Sequence, residues 1–213
     1  MSDKKIIVAA LILAALLAGG GWYYSKHQVP SAAILPTGTA SPETVASEPG
    51  IIIGNPDAPV VMEEYTNFLC PACGNFASGT LERIKEEYIK TGKVKLIVYI
   101  YPPQELSKAA LCAQEQNKFM EYHNYLFTHQ GQISSEKDLK DLAANAGLDT
   151  QKFDACFDAL NKYQDKIQKW YDEGEARGVD ATPTFFINGQ KFIGAQPFED
   201  FQKIIEGKLN QAK

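Results

Sequence analysis

The chain has 213 residues, 45% of them hydrophobic and 22% charged, with a formal net charge of −5 at pH 7. That length holds one domain with a full core and leaves room for extensions, at an ordinary globular composition. The first fifty residues carry three Lys against one Asp and two Glu, so the excess negative charge falls on the remainder and excludes nucleic acid as a partner.

Lys4-Lys5 precede an unbroken apolar stretch from Ile6 to Ala18, followed by Gly19-Gly20-Gly21 and Trp22-Tyr23-Tyr24. The apolar stretch alone has signal-peptide length; counted on to Tyr24 it approaches the ~20 residues of a spanning helix. The aromatic trio suits a membrane–water interface, and no convincing small-x-small cleavage site follows. Residues 1–26 are therefore read as an uncleaved signal-anchor, with a cleaved signal and a secreted or periplasmic product as the alternative. The two lysines stay cytoplasmic, which puts the rest of the chain outside. Residues 27–50, with Pro30, Pro36, Pro42 and Pro49 among Ser, Ala and Thr, read as a linker that holds a folded domain off the membrane.

The domain proper spans 51–213. Ile51–Ile53 is a short strand candidate, and the turn residues Gly54 to Pro59 separate it from a second strand, Val60 to Tyr65. A helical pattern opens at Cys70 and runs to about Lys90, with Phe76, Leu81, Ile84 and Tyr88 apolar and Gly92 as its stop. Val94 to Tyr101 is a near-continuous β-rich run, as expected of a strand covered on both faces. After Pro102-Pro103 comes a helical block of about 104–178, made of 105–130, 136–146, 150–160 and 162–177, with Gly147 and Asp149 as stop and cap. Thr184–Ile187 and Lys191–Ile193 flank Asn188-Gly189, a strong hairpin signal. Pro197 then begins a last helix that buries Phe198, Phe201, Ile204 and Ile205. The order is βαβ, helices, ββα: an α/β chain that becomes a thioredoxin fold once the all-helical insertion is removed.

Chemistry concentrates at Cys70-Pro71-Ala72-Cys73, which sits at a strand-to-helix junction. With Cys70 as N-cap and Pro71 as the first helical residue, the free N–H groups of Ala72 and Cys73 point toward the Cys70 sulfur. The helix dipole adds to them, and both favour thiolate over thiol. Cys70 is thus the expected nucleophile. Cys73, three residues on and one turn inward, is the expected buried resolving thiol. A zinc half-site would need a second closely spaced pair, which Cys112 and Cys156 do not form. A purely structural disulfide is the other alternative.

These residues, with the segment Gly54 to Val60, with Cys112, Glu115, Gln116, Tyr122 and His123 in the helical block, and with Thr182-Pro183-Thr184-Phe185-Phe186-Ile187-Asn188-Gly189, resemble the DsbA-like thiol–disulfide oxidoreductases. The resemblance covers 51–213. It implies that Glu64, six residues before Cys70, lies beneath the redox pair and exchanges a proton with Cys73. The reading from the strand alone is an edge-facing Glu, because Glu63 beside it shows that the strand is not wholly apolar. Sequence alone puts Pro183 in trans; the resemblance implies a cis Thr182–Pro183 bond against the redox pair. Pro71, Ala72, Thr182 and Pro183 are then the substrate-binding residues, with the Thr182 backbone open to an extended substrate strand. Ala72 supplies no imidazole where the best-known members carry His, so a less depressed Cys70 pKa and a less oxidising disulfide are expected.

An even cysteine count in an exported protein suggests a second, structural disulfide between Cys112 and Cys156, tying the first insertion helix to the third; free thiols or a second relay are the alternatives. His123 and His129, in a helix rich in Tyr and Phe, are read as structural. No cofactor and no metal is implied. The resemblance implies an extracytoplasmic oxidase of exported proteins, tethered to the membrane and re-oxidised by a DsbB-like or VKOR-like membrane partner. The rivals are a reductase or isomerase kept reduced by a membrane electron carrier, and a non-catalytic binding module or chaperone.

Overall fold

A computed structural model describes residues 49–212. The expected anchor at 1–26, and all of the linker but Pro49 and Gly50, lie outside the described residues. Among the described residues no helix is long and apolar enough to cross a membrane.

The strands are β1 (Ile51–Ile53), β2 (Val60–Thr66), β3 (Val94–Ile100), β4 (Thr184–Ile187) and β5 (Gln190–Ile193). They form one mixed sheet in the order β1-β3-β2-β4-β5, in which β2 and β3 are parallel and every other pair is antiparallel. β2 is central, with Glu63 between Ile97 and Phe186 and Glu64 between Val98 and Phe185. Because strand side chains alternate, these adjacent glutamates face opposite sides of the sheet.

Helices α1 (Pro71–Ser78) and α8 (Phe198–Gln211) cover the Glu64 side, where Phe76, Phe185 and Phe201 pack with ring centroids 4.6–5.3 Å apart. The helix expected to run unbroken to Lys90 breaks at Gly79 (φ −121°, ψ −86°), continues as α2 (Thr80–Ile84) and ends in a π-helical turn, Lys85–Ile89. Glycine's low helix propensity makes that break inexpensive. The new direction still buries Leu81, Ile84 and Tyr88.

The insertion consists of α3 (Gln104–Glu115), α4 (Phe119–Thr128), a 3₁₀ turn (Gln130–Gln132), α5 (Glu136–Asn145), α6 (Thr150–Phe157) and α7 (Gln164–Ala176). The single helix expected over 105–130 is therefore two. Asn117 adopts φ 56° and the Lys118 N–H bonds back to Ala113 O at 3.0 Å, a left-handed stop of the kind Asn tolerates. Gly147 ends α5 the same way, and the Asp149 carboxylate caps α6 by accepting from the Lys152 N–H at 3.1 Å. Cys112 on α3 and Cys156 on α6 are joined, with Cα atoms 5.7 Å apart across 44 residues. The bridge therefore ties the first insertion helix to the fourth, because the first expected helix is split. Closing a loop of that length is worth about 4 kcal/mol in the chain-entropy account.

On the other side of the sheet, Trp170 of α7 meets Tyr99 edge-on at 5.7 Å. Glu63 there is buried, and so is Glu64 on the opposite face, which overturns the edge-facing reading of Glu64. Arg177, at the end of α7, grips Glu63 with Nη1–Oε1 and Nη2–Oε2 both at 2.8 Å, donates to the Tyr65 hydroxyl at 3.2 Å and lies 3.7 Å over the Phe186 ring. A charged glutamate in a central strand is tolerable only with such a partner.

Arg177→Met leaves Glu63 buried and uncompensated, and is expected to cost about 3–5 kcal/mol in denaturant unfolding. Adding Glu63→Gln to it should recover a large part of that loss. A loss below ~1 kcal/mol would mean the pair does not hold α7 to the sheet.

Candidate active site

β2 ends at Thr66, and a tight turn carries the chain to α1. The Asn67 side chain builds that turn: its Oδ1 accepts from the Leu69 N–H at 2.7 Å and its Nδ2 donates to Pro102 O, while the Cys70 N–H donates to Asn67 O at 3.0 Å. Pro102–Pro103 is cis. Gln130, from the insertion, closes the turn from the other side, its Nε2 donating to Phe68 O at 2.8 Å and Cys70 O at 2.9 Å.

Cys70 is the N-cap of α1, with extended backbone (φ −88°, ψ 119°) and Pro71 in the first turn. No side chain caps this helix, so its first free N–H groups are available to the sulfur. Cys70 and Cys73 are both unbridged thiols, the first half-buried and the second sealed from solvent. Burial opposes the Cys70 thiolate. Hydrogen bonds from the Thr182 side chain, the Cys73 N–H and thiol, and the Ala72 N–H outweigh it, and the pKa falls below the ordinary thiol value. As a thiol, Cys70 donates from Sγ to Thr182 O at 3.2 Å.

Cys73 is pushed the other way. Burial, and to a lesser degree the charge of Glu64, drive its pKa up to about 12 against the smaller opposing influence of the nearby Thr66 side chain, the Asn67 N–H and the Thr182 side chain. Glu64 is fully buried, and burial raises its pKa to about 7. Neither carboxylate oxygen has a hydrogen-bond partner; the Thr66 hydroxyl offsets part of the rise without reaching hydrogen-bonding geometry.

Thr182–Pro183 is cis, Pro183 O accepts from the Gly194 N–H at 2.8 Å, and the Thr182 carbonyl meets the Cys70 sulfur. The residues singled out in the sequence, Glu64, Cys70, Pro71, Ala72, Cys73, Thr182 and Pro183, thus share one end of the sheet. Cys112 and Cys156 belong to the insertion. His123 is buried among Phe68, Phe119 and Phe127, and burial depresses its pKa to about 4; His129 stacks on Tyr125 at 4.0 Å. Among the described residues no group of three or more His, Cys, Asp or Glu side chains could hold a metal ion. Asn67, Gln130 and Arg177 escaped the sequence reading. Asn67, three residues before an N-cap cysteine, carried a turn-former's signal; the other two carried none.

The family model described as Thioredoxin matches residues 46–207. The chain belongs to the thioredoxin family. This thioredoxin-family chain is 31% identical over 172 residues to a protein named Na(+)/H(+) antiporter NhaA 1 from Mycobacterium sp. (strain KMS), over 75% of this chain but only 27% of that much longer one. It is 27% identical over 172 residues to the probable disulfide bond formation protein D of Bacillus anthracis, covering 75% of this chain and 78% of that one. In three dimensions it is similar to oxidised BdbD from Bacillus subtilis, with a TM-score of 0.64, 23% identity, and coverage of 78% of this chain and 98% of that one. That likeness establishes a thioredoxin fold carrying a helical insertion.

Glu64 gives the fold a pH signature. Its folded pKa of about 7 lies above the ordinary 4.5, so the folded chain binds the extra proton between those values and stability falls as pH rises through them. His123, at about 4 rather than 6.5, works with the opposite sign, stability rising from pH 4 to 6.5. The two cancel in part, so the difference between variant and wild type isolates Glu64. In unfolding measured against pH, Glu64→Gln should gain about 3 kcal/mol on the wild type between pH 4.5 and 7 and hold the gain above. A difference independent of pH would show that the carboxyl ionises normally.

Proposed function

We propose that the protein is an extracytoplasmic protein thiol–disulfide oxidoreductase that oxidises exported proteins through a Cys70–Cys73 disulfide. The observation that carries this reading is the opposite treatment of two sulfurs three residues apart. Cys70 is half-exposed and biased toward thiolate; Cys73 is sealed and biased toward thiol. A structural pair has no use for that asymmetry, whereas an exchange pair needs one accessible sulfur that leaves easily and one that stays out of reach.

In the oxidised state a substrate thiolate attacks the Cys70 sulfur. The Cys70–Cys73 bond breaks, a mixed disulfide forms, and the Cys73 sulfur departs with the electron pair. A thiol with a pKa near 12 must take up a proton as it leaves, and Glu64, neutral up to about pH 7, can supply it. A second substrate thiolate then attacks the substrate sulfur of the mixed disulfide. Cys70 leaves as a thiolate held by Thr182 and the first-turn amides, and the substrate carries a disulfide. Two electrons now reside in the reduced pair. The bonds that favour the Cys70 thiolate stabilise this reduced state, which supports the oxidising direction.

Pro71, Ala72 and Thr182 surround the attacked sulfur, and with Pro183 they form the substrate contact, the Thr182 carbonyl lying beside the substrate strand. Leu69, 43% exposed, leads from Cys70 to a groove lined by Pro103, Leu106, Ile133 and Leu139 together with Glu105, Glu136 and two serines, which suits a mixed apolar and polar stretch of a protein substrate. Residues 1–26 act as the anchor and 27–50 as the tether. Turnover requires an electron acceptor, and a DsbB-like or VKOR-like membrane protein fills that role. The name of the Bacillus anthracis relative supports the reading.

With Cys70 first loaded as its mixed disulfide with glutathione, Cys73→Ala should exchange the glutathione for a reduced single-cysteine substrate and hold it as a Cys70–substrate disulfide, seen as a reducible gel shift, and Cys70→Ala should abolish catalysed refolding. Unchanged activity after Cys70→Ala would identify a binding module. Alkylation shift in cells should find the pair mostly oxidised; a mostly reduced pair would reverse the direction of electron flow.

A further inference from the structure

Gln130 lies sixty residues from the cysteine pair in sequence, in a 3₁₀ turn of the insertion, yet it makes two hydrogen bonds to the backbone on either side of Leu69. Its Nε2 supplies both N–H groups, one to Phe68 O and one to Cys70 O. The Cys70 carbonyl already accepts the first bond of α1, from the Gly74 N–H at 3.1 Å, so Gln130 occupies its second lone pair. The amide therefore grips the carbonyl of the residue whose sulfur reacts.

Gly74 makes room for it. A Cβ built on Gly74 would fall 2.8 Å from Gln130 Oε1, 3.2 Å from its Cδ and 3.3 Å from its Nε2. Glycine inside a helix is unfavourable, and here that cost coincides with the passage of one side chain. We propose that Gln130 is a positioning residue for thiol–disulfide exchange: its amide fixes the turn that carries Cys70, and Gly74 is small so that it can. This rests on the thiol–disulfide reading of Cys70–Cys73 and adds a residue to it.

The consequence is geometric. Cys70 is stabilised as thiolate only while its sulfur stays over the first-turn amides and beside Thr182. That placement depends on the extended N-cap backbone (φ −88°, ψ 119°). Asn67 holds the turn from within and from Pro102, and Gln130 holds it from the insertion. Losing the Gln130 donors frees the Phe68 and Cys70 carbonyls to seek water and lets the N-cap turn. Gln130 also links the insertion directly to the reactive residue.

The test uses the full chain with its pair reduced. Cys70 is titrated by thiolate absorbance and by its rate of labelling with iodoacetamide. Gln130→Met keeps length and packing over Gly74 but has no donor. It should raise the Cys70 midpoint by about half a pH unit and slow labelling below that midpoint about threefold. Gly74→Ala, which improves helix propensity and displaces the amide, should produce the same shift. The double variant should shift no further than the larger single one, as expected of two changes acting on one contact. Midpoints and labelling rates equal to the wild type in both Gln130→Met and Gly74→Ala would overturn the inference while leaving the exchange reading intact. A wild-type Cys70 that labels no faster than free cysteine would instead remove that reading, and this inference with it.

Discussion

A sulfur in place of a capping oxygen is the constraint on which the rest of this structure depends. Ser, Thr, Asp and Asn side chains are the preferred caps for a helix's first N–H groups, as at Ser135 and Asp149 here; α1 begins at Cys70, with a sulfur at that position. Its free donors are left for a group that is a poor acceptor as a thiol and a good one as a thiolate. Everything around the helix start then acts to hold that sulfur in place. β2 delivers the chain to the turn, Asn67 and Gln130 fix the turn, and β4 begins just after Thr182, whose carbonyl and side chain meet the sulfur. The sheet order makes this possible, because β2 and β4 are neighbours and their site ends coincide.

The paired glutamates of β2 show how one strand separates structural work from chemistry. Glu63 and Glu64 are both buried in a central strand, and each would be costly there unpaired and charged. Glu63 meets Arg177 in a two-point ion pair and fixes the end of the insertion to the sheet. Glu64 has no cation and no hydrogen bond, and burial raises its pKa to about 7 instead. A fully satisfied buried charge signals architecture. A buried carboxyl that stays neutral beside a sulfur suits the proton transfer proposed for it.

Most of the architecture was legible because it is local. The Cys70–Cys73 spacing, the strand runs, Asn188-Gly189 and the Gly147–Asp149 stop and cap are short-range signals, and each corresponds to an element of the fold. The misreadings came where one residue decides between continuing and ending a helix. Gly79 and Asn117 both sit inside patterns whose apolar period runs on across them, so periodicity could not see the break. The burial of Glu63 was illegible for a different reason. Its partner lies 114 residues away, and without that partner a buried glutamate and an exposed one look alike in sequence. Gln130 was invisible for the same reason, its amide being generic until Gly74 and the Cys70 carbonyl are brought to it.

The absence of an imidazole at position 72 changes how the site responds to pH rather than only how far its pKa moves. A histidine beside the nucleophile is a donor that loses its charge near neutrality. The donors acting on Cys70 are the Thr182 side chain, two backbone amides and the Cys73 thiol, and they keep their protons throughout the neutral range because Cys73 holds its own to about pH 12. None of these donors is lost by titration across that range, so their hold on the Cys70 thiolate does not switch there. Among the other groups that act on the two sulfurs, Glu64 is the one with a titration near pH 7, and its charge acts on Cys73. The site thus gives the more exposed sulfur a setting that does not titrate near neutrality and the buried sulfur beneath it one that does. In the proposed exchange such a pair keeps Cys70 a good leaving group while the buried half sets how easily a proton accompanies the electrons.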